Sequence, residues 1–418
     1  MDQTRFVLHN VGVIDPASLD DYRAAGGYTG LTKALAMAPA EVIGVLADSN
    51  LRGRGGAGFP IGTKWRAAAE APGDTKYVVC NADEGEPATN KDRVIMSGDP
   101  HGFLEGMIIA GYAVGAAKGY IYLRYEYPAL FGFLQDRIAD AKAAGLLGEH
   151  ILGSDFGFDI EVVTGGGAYV CGEETALLTS MEGKRGEPRL RPPFPVTRGL
   201  FDAPTVVNNV ETLANVPLIL ADGGAAFRSV GTPTQPGTKV FTLCGNVENP
   251  GVYEFPMGTN LNTIIAEAGG IKGALGLLGV QLGGCSGAIM NALQLDLPMD
   301  ADSCHAHGTT LGSGGIQVIG AGIHLFDVLE NAMQFFVHES CGQCTPCREG
   351  CTRMAEIIHK LNTGDGTPAD IELMLDLCDT LRWASLCALG QSVATPVTSA
   401  YNNFRAVFDR AVRKEVTA

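Results

Sequence analysis

Tyr77-Val-Val-Cys-Asn-Ala-Asp-Glu-Gly-Glu-Pro87 begins as a short apolar, β-rich run and stops at a polar, acidic turn. Such a run bounded by turn formers reads as a buried strand, Tyr77–Cys80. Upstream, Pro39 to Leu51 reads as a helix, with proline suited to its first turn. Downstream, His101 to Lys118 reads as a helix of small residues and Gly119 to Tyr125 as a strand. Asp159 to Thr164 alternates like a strand and runs into Gly165-Gly-Gly167, after which Glu173 to Met181 reads as a helix. This strand–helix alternation predicts an α/β layer structure with a largely parallel sheet over residues 1 to about 235.

Composition sets limits around that reading. The chain has 418 residues, a length expected to hold several domains, and 46% are hydrophobic against 18% charged, which excludes wholesale disorder. Acidic residues outnumber basic ones 46 to 30, a formal charge of −16, which argues against nucleic-acid binding. Apolar stretches such as Met107 to Ala117 fall short of the roughly 20 residues that span a bilayer. The opening Met1-Asp2-Gln3-Thr4-Arg5 lacks a secretory pattern, so a soluble, cytoplasmic protein without membrane insertion is expected. The 56 glycines, about double the usual share of roughly 7%, carry no collagen-like period. They are expected in loops where backbone closely approaches something.

Pro233 to Gly237 reads as a linker. Beyond it, strands at Lys239–Leu243 and Gly251–Phe255, a helix at Leu261–Ala268 and strands near Val280 and Ile316–Ile319 suggest a small β-grasp-like domain. From Phe326 the pattern turns helical, near Phe326–Glu339, Arg348–Leu361, Asp370–Thr380 and Ser392–Arg413, suggesting a small bundle. That bundle carries Cys341, Cys344, Cys347 and Cys351, with Cys378 and Cys387 following. Three closely consecutive cysteines favour a [4Fe–4S] cluster over zinc, whose ligands usually come as separated pairs. The fourth ligand is open on spacing alone. Cys351 completes a ferredoxin-like run but is followed by Thr352 rather than proline; Cys387 lies in a small-residue turn between helices; Cys378 reads as core.

Gly53-Arg-Gly-Gly-Ala-Gly58 matches G-x-G-x-x-G, but a helix precedes it, which is the wrong context for a dinucleotide turn. Arg54, Phe59 and Lys64 nearby offer positive charge and an aromatic face beside backbone N–H groups, a setting for a phosphate and a planar ring. The carboxylates of Asn81-Ala-Asp-Glu-Gly-Glu86 stand at the C-terminal end of a strand, where α/β sheets place ligands. They form either a solvated turn or acceptors for sugar hydroxyls and a ring N–H. Glu173 and Glu174 would open a helix, where the dipole favours them. Arg191-Pro-Pro-Phe-Pro195 could present Phe194 as a wall, and Val207-Asn208-Asn209 offers amides before a helix.

Taken in order, Gly53-Arg-Gly-Gly-Ala-Gly-Phe-Pro60 with Lys64-Trp65, Asn81–Pro87, Gly167-Ala-Tyr-Val-Cys-Gly-Glu-Glu-Thr-Ala176, Pro192–Pro195, Val207-Asn-Asn-Val-Glu-Thr212 and Glu339-Ser-Cys-Gly-Gln-Cys-Thr-Pro-Cys-Arg-Glu-Gly350 resemble the NADH-oxidising flavoprotein subunit of respiratory complex I. The same core occurs in diaphorase subunits of NAD-linked formate dehydrogenases and of soluble or electron-bifurcating hydrogenases. The resemblance covers nearly the whole chain. It implies FMN, NAD(H) as substrate and one [4Fe–4S] cluster. It also implies three domains: a Rossmann-like FMN- and NADH-binding domain (1–235), a ubiquitin-like β-grasp domain (236–322) and a helical [4Fe–4S] domain (323–418).

Carried over by motif, the FMN-site residues are Gly53, Gly55, Lys64, Asn81, Asp83, Glu84, Tyr169, Gly172, Glu173, Glu174, Val207, Asn208 and Asn209. The nucleotide contacts are Phe59, Glu86, Arg191 and Phe194, with Glu86 beside the reacting ring. The resemblance makes the cluster ligands Cys341, Cys344, Cys347 and Cys387. Two departures stand out: Arg191 replaces the lysine common in complex I, and Cys351 is an extra thiol. The expected partners are a thioredoxin-fold [2Fe–2S] subunit and a larger iron–sulfur or catalytic subunit, in an assembly that could be peripheral on a membrane. Competing classes are a non-catalytic iron–sulfur scaffold and a zinc-binding interaction protein.

Overall fold

In the computed structural model, which describes residues 5–273 and 276–412, nine strands form two sheets. The first four residues of the opening pentapeptide and Arg413, the expected end of the last helix, lie outside the described residues. The chain divides into two compact units, 1–85 with 90–241 and 252–259, and 86–89 with 242–251 and 260–418.

The first unit holds a four-stranded sheet of β1 (Tyr77–Ala82), β2 (Lys118–Leu123), β3 (Asp159–Thr164) and β4 (Thr205–Asn209), in the order β3-β2-β1-β4. All three pairings are parallel, as the alternation predicts. Val78, Val79 and Cys80 are wholly buried, the expected state of a central parallel strand. Tyr77 pairs with both Lys118 and Thr205, so the C-terminal ends of the strands come out at one edge. The chain steps from β1 to β2 to β3 in one direction and returns to the far side of β1 with β4. The carboxyl ends of β1 and β4 therefore flank a topological switch point, the place where open α/β sheets hold ligands.

The helix Pro100–Val114 is buried at every position but Tyr112, which explains its apolar, glycine-rich sequence. It ends before the expected Lys118, because Gly115 takes a left-handed conformation (φ +76°) and Lys118 begins β2. β4 is not expected from the sequence: Val207-Asn208-Asn209 reads as amides before a helix, yet all five residues Thr205–Asn209 pair with β1.

The other five strands are β5 (Thr238–Gly245), β6 (Gly251–Pro256), β7 (Leu277–Leu282), β8 (Ala288–Asn291) and β9 (Gly315–Gly320), in the order β6-β5-β9-β7-β8. The division between the units falls within β5 and β6. β9 runs parallel to β5 and antiparallel to β7. β8 is an edge strand whose backbone is satisfied by side chains: Ile289 N donates to Ser399 Oγ at 2.9 Å and Asn403 Nδ2 donates to Ile289 O at 2.8 Å.

Helices Leu325–Glu339, Thr345–Thr363 and Pro368–Ala384 follow. The single helix expected at Ser392–Arg413 is instead a run of short helices, Ala388–Ser392, Ala394–Asn403 and Arg405–Ala411. Phe404 leaves helical geometry (φ −132°), and Asn403 is drawn off to cap β8. Among the described residues no helix is long and apolar enough to cross a membrane.

Candidate functional site

The glycine loop lies between the helices Pro39–Ser49 and Ile61–Glu70. Gly53 N donates to Phe59 O at 2.9 Å and closes it. Lys64 stands on the first turn of the second helix. Its Nζ donates to Glu174 Oε2 at 3.1 Å and to Val207 O at 3.0 Å, joining that helix to the helix Glu174–Met181 and to β4. Trp65, wholly buried, donates its Nε1 to Asn208 Oδ1 at 2.8 Å. A Cβ on Gly55 would stand 2.9 Å from Asn209 Cβ, so only glycine lets the loop lie this close to the end of β4.

At the end of β1, Asn81 Nδ2 donates to Gly172 O at 2.8 Å and Asn81 Oδ1 accepts Asp83 N at 3.1 Å. Tyr169 and Gly172 belong to a single 3₁₀ turn, Tyr169–Gly172, and Gly85 packs so close that its Cβ would meet the Tyr169 ring at 3.0 Å. Glu173 Oε2 accepts the N–H groups of Thr175 and Ala176 at 3.0 and 2.9 Å, the capping role open to it from sequence. Arg191 Nη1 lies 3.6 Å from Glu173 Oε1 and 3.8 Å from Glu174 Oε1. Phe59 and Phe194 are about half exposed (51% and 52%). In the first unit, Lys64, Glu174, Val207, Gly55 and Asn209 thus meet around the end of β4, and Asn81, Asp83 and Gly172 meet around the end of β1.

Arg54 departs from expectation. Its side chain is buried and donates Nη2 to Pro236 O at 2.7 Å, so its charge is not offered at the loop. It points instead toward buried charges that sequence reasoning missed. Lys91 Nζ contacts Asp92 Oδ1 at 2.6 Å, Glu211 Oε2 at 3.0 Å and Asn209 Oδ1 at 3.1 Å. Lys239 Nζ contacts Glu211 Oε2 at 2.6 Å. Burial pulls the Lys239 ammonium down to about 8, while Glu211 opposes the shift. Glu84 caps the helix Lys91–Gly98, accepting Asp92 N at 2.8 Å and Arg93 N at 3.1 Å, with Tyr127 Oη at 3.0 Å. Burial, reinforced by Asp92, raises its carboxyl to about 7. No sequence signal marks this network, since Lys91 and Glu211 meet only through the fold.

Glu86 belongs to the second unit, where Ser286 N donates to its Oε1 and Ser286 Oγ to its Oε2, both at 3.0 Å. In the same unit, Cys344 occupies the N-cap position of the helix Thr345–Thr363 and Gly342 takes φ +76° between Cys341 and Cys344. Cys387 occupies the N-cap position of the helix Ala388–Ser392, with extended backbone (φ −129°, ψ 170°). A Cβ on Gly390 would meet Cys347 Cβ at 3.0 Å, and both Cys347 and Cys341 act electrostatically on Cys387. Cys351 Sγ lies 3.8 Å from Cys347 Sγ, and Ser340 Oγ lies 3.2 Å from the same sulfur. The hydrogen bond to Cys351, with that of Ser340, holds the Cys347 thiol below its usual range, while the contact with Cys347 and burial drive the Cys351 thiol upward. Cys378 is buried within the helix Pro368–Ala384, as core. Among the described residues, no three His, Cys, Asp or Glu side chains are gathered around a single-ion position.

Three known families match parts of the chain. The Nuo51 FMN-binding domain matches residues 46–218, the SLBB domain 240–280, and the NADH-ubiquinone oxidoreductase-F iron-sulfur binding region 327–411. The NADP-reducing hydrogenase subunit HndC of Solidesulfovibrio fructosivorans is 47% identical over 96% of this chain and 82% of its own length. An NADH-quinone oxidoreductase subunit of Rhizobium meliloti is 46% identical over 96% of both chains. Two structures of NAD+-reducing [NiFe]-hydrogenase align with TM-scores of 0.86 and 0.83 at 36% and 39% identity. This chain spans 67% and 64% of those longer chains and is itself covered to 98% and 91%. The chain therefore belongs to the family of NADH-oxidising flavoprotein subunits, binding FMN and a [4Fe–4S] cluster, that complex I and NAD-linked hydrogenases share.

Proposed function

We propose that the chain is the electron-input subunit of a larger NAD-linked complex, with its flavin held at the switch point between β1 and β4. The observation that carries this reading is the convergence there of Lys64, Asn81, Glu174, Val207, Asn208 and Asn209 beside a loop that needs glycine at position 55. Bound there, FMN supplies the hydride acceptor and the conversion from two electrons to one, and the cluster supplies the one-electron exit. The chain's own residues bind and orient. Lys64 and the loop amides favour a phosphate. Asn81, Asp83, Tyr169 and Gly172 border the ring and ribityl side, and Glu84 fixes the turn that carries them. Phe59 and Phe194 offer apolar faces to the nucleotide, and Arg191 with Glu173 and Glu174 reads its ribose and phosphate end. The carboxylate of Glu86 orients the nicotinamide ribose.

The fit to a cluster rests on the spacing of Cys341, Cys344 and Cys347 and on Cys387, whose neighbour Gly390 packs so close to Cys347 that a Cβ there would meet the Cys347 Cβ at 3.0 Å. Cys351 then stands 3.8 Å from the Cys347 sulfur as a neighbouring thiol rather than as a ligand. In this reading the two sheets belong to a Rossmann-like domain and a ubiquitin-like β-grasp domain, and the last helices to a separate cluster domain. The relatives named above are subunits of multi-subunit complexes, which implies partner subunits. We take these to be a thioredoxin-fold [2Fe–2S] protein and a larger iron–sulfur or catalytic subunit. Relatives carry both hydrogenase and quinone-reductase names, and co-purification from the native source decides between them. A hydrogenase or formate dehydrogenase subunit supports the soluble alternative; membrane subunits support complex I.

A further inference from the structure

We propose that Ser286 is a positioning residue that clips the Glu86 carboxylate into the orientation it needs for the nucleotide. This rests on reading Glu86 as a nucleotide contact. The five-residue loop 283–287 joins β7 to β8, and it meets Glu86 at three points. Ser286 N donates to Oε1 and Ser286 Oγ to Oε2, each at 3.0 Å, so one residue engages both carboxylate oxygens. Gly284, at φ +89°, packs flat against the stem: a Cβ there would lie 2.3 Å from Glu86 Cγ and 2.5 Å from Oε1.

The loop that makes these contacts is itself pinned. Gln281, buried at the end of β7, donates Nε2 to Cys285 O at 3.1 Å and to Gly287 O at 3.3 Å. Gly287 N donates to Gly284 O at 3.0 Å, and Gly283 N to Gly315 O at 2.7 Å. The chain after Glu86 is tied to the same unit by Thr89 Oγ1 and Ser313 Oγ, 2.7 Å apart. A carboxylate on a flexible stem has several staggered rotamers. Two charge-assisted bonds from a rigid loop select one of them. Ser286 touches no reacting atom in this scheme; it acts through Glu86.

The test uses the full chain loaded with FMN and cluster, assayed with NADH and ferricyanide. Ser286→Ala removes one of the two bonds and should raise the KM for NADH roughly tenfold, well beyond any fall in kcat, with flavin and iron content unchanged. Gly284→Ala, which thrusts a methyl group into the carboxylate stem, should raise KM at least as much. In a Glu86→Gln background, which should itself raise KM, Ser286→Ala should add less than about twofold, because its effect passes through the carboxylate. Three results overturn the proposal: an unchanged KM in Ser286→Ala beside a raised one in Glu86→Gln, an unchanged KM in Gly284→Ala, or effects that multiply in the double variant. An unchanged KM in Glu86→Gln refutes instead the reading of Glu86 itself.

Discussion

Replacing Lys64 by methionine probes the proposed flavin site most sharply, because the side chain is already held in place. Its Nζ bonds Glu174 Oε2 at 3.1 Å and Val207 O at 3.0 Å, with the two charged side chains only 19% and 24% exposed. Methionine keeps most of the apolar stem and removes the ammonium. The bond it would make to bound FMN is charge-assisted, and losing such a bond costs about 1.5–3 kcal/mol. The loss also leaves the Glu174 carboxylate without its nearest cation, in a site meant to receive an anionic flavin. Partly exposed charges are screened, and Arg191 remains 3.8 Å from Glu174 Oε1, so this second effect adds about 0.5–1 kcal/mol. The sum, about 2–4 kcal/mol, predicts FMN binding weaker by roughly 30- to 700-fold. Titration of the flavin-free chain with FMN, followed by quenching of flavin fluorescence, measures it directly, and iron content checks the fold. An FMN affinity within about threefold of the parent chain would refute the placement of the flavin beside Lys64.

Cys387→Ser should lose or convert the [4Fe–4S] cluster while Cys351→Ser keeps it, read by iron content and low-temperature EPR; the opposite pattern reverses the ligand assignment. NADH should be strongly preferred to NADPH in kcat/KM with an artificial acceptor, because Glu173 and Glu174 repel a 2′-phosphate and engage the charge of Arg191; a preference for NADPH would contradict this. Glu84, whose folded pKa is raised to about 7 by burial, holds a proton that the unfolded chain releases near pH 4.3. Its contribution to stability is therefore complete below about pH 4.3 and is lost as pH rises through about 7. Urea unfolding of the flavin-free chain at pH 5 and 7.5 should accordingly show a smaller pH-dependent loss in Glu84→Gln than in the parent; equal losses would refute the assignment. The isolated chain should reduce ferricyanide or a viologen-type dye with NADH but produce neither hydrogen nor formate, and either product from the chain alone would end its reading as an input module.

What could be read in advance was local. The strand at Asp159–Thr164 shows its alternation in six residues and ends where expected. Tyr77-Val-Val-Cys80 shows burial by composition, although β1 continues two residues further into the turn. The acidic turn, the glycine loop and the cysteine spacing are contiguous, so each could be linked to a chemistry. What could not be read depends on distant partners. β4 is a strand because β1 lies beside it, and half its residues resemble a helix cap. Arg54 turns inward toward the Pro236 carbonyl, 182 residues away. Lys91, Glu211 and Lys239 each look like surface charges and are buried only as a group. The break after Asn403 has its cause in β8, over a hundred residues earlier. The clip on Glu86 is 200 residues from it and has no motif of its own.

The central claim is that one chain takes hydride from NADH onto its own flavin and passes single electrons to its own cluster. Anaerobic titration of the purified, FMN-loaded chain with NADH tests it, following flavin absorbance together with the EPR signal of the cluster. The account predicts that substoichiometric NADH bleaches the flavin and that a reduced cluster signal grows in as more is added, with no other protein present. A chain that binds FMN and carries its iron, yet leaves the flavin oxidised in excess NADH, would contradict it.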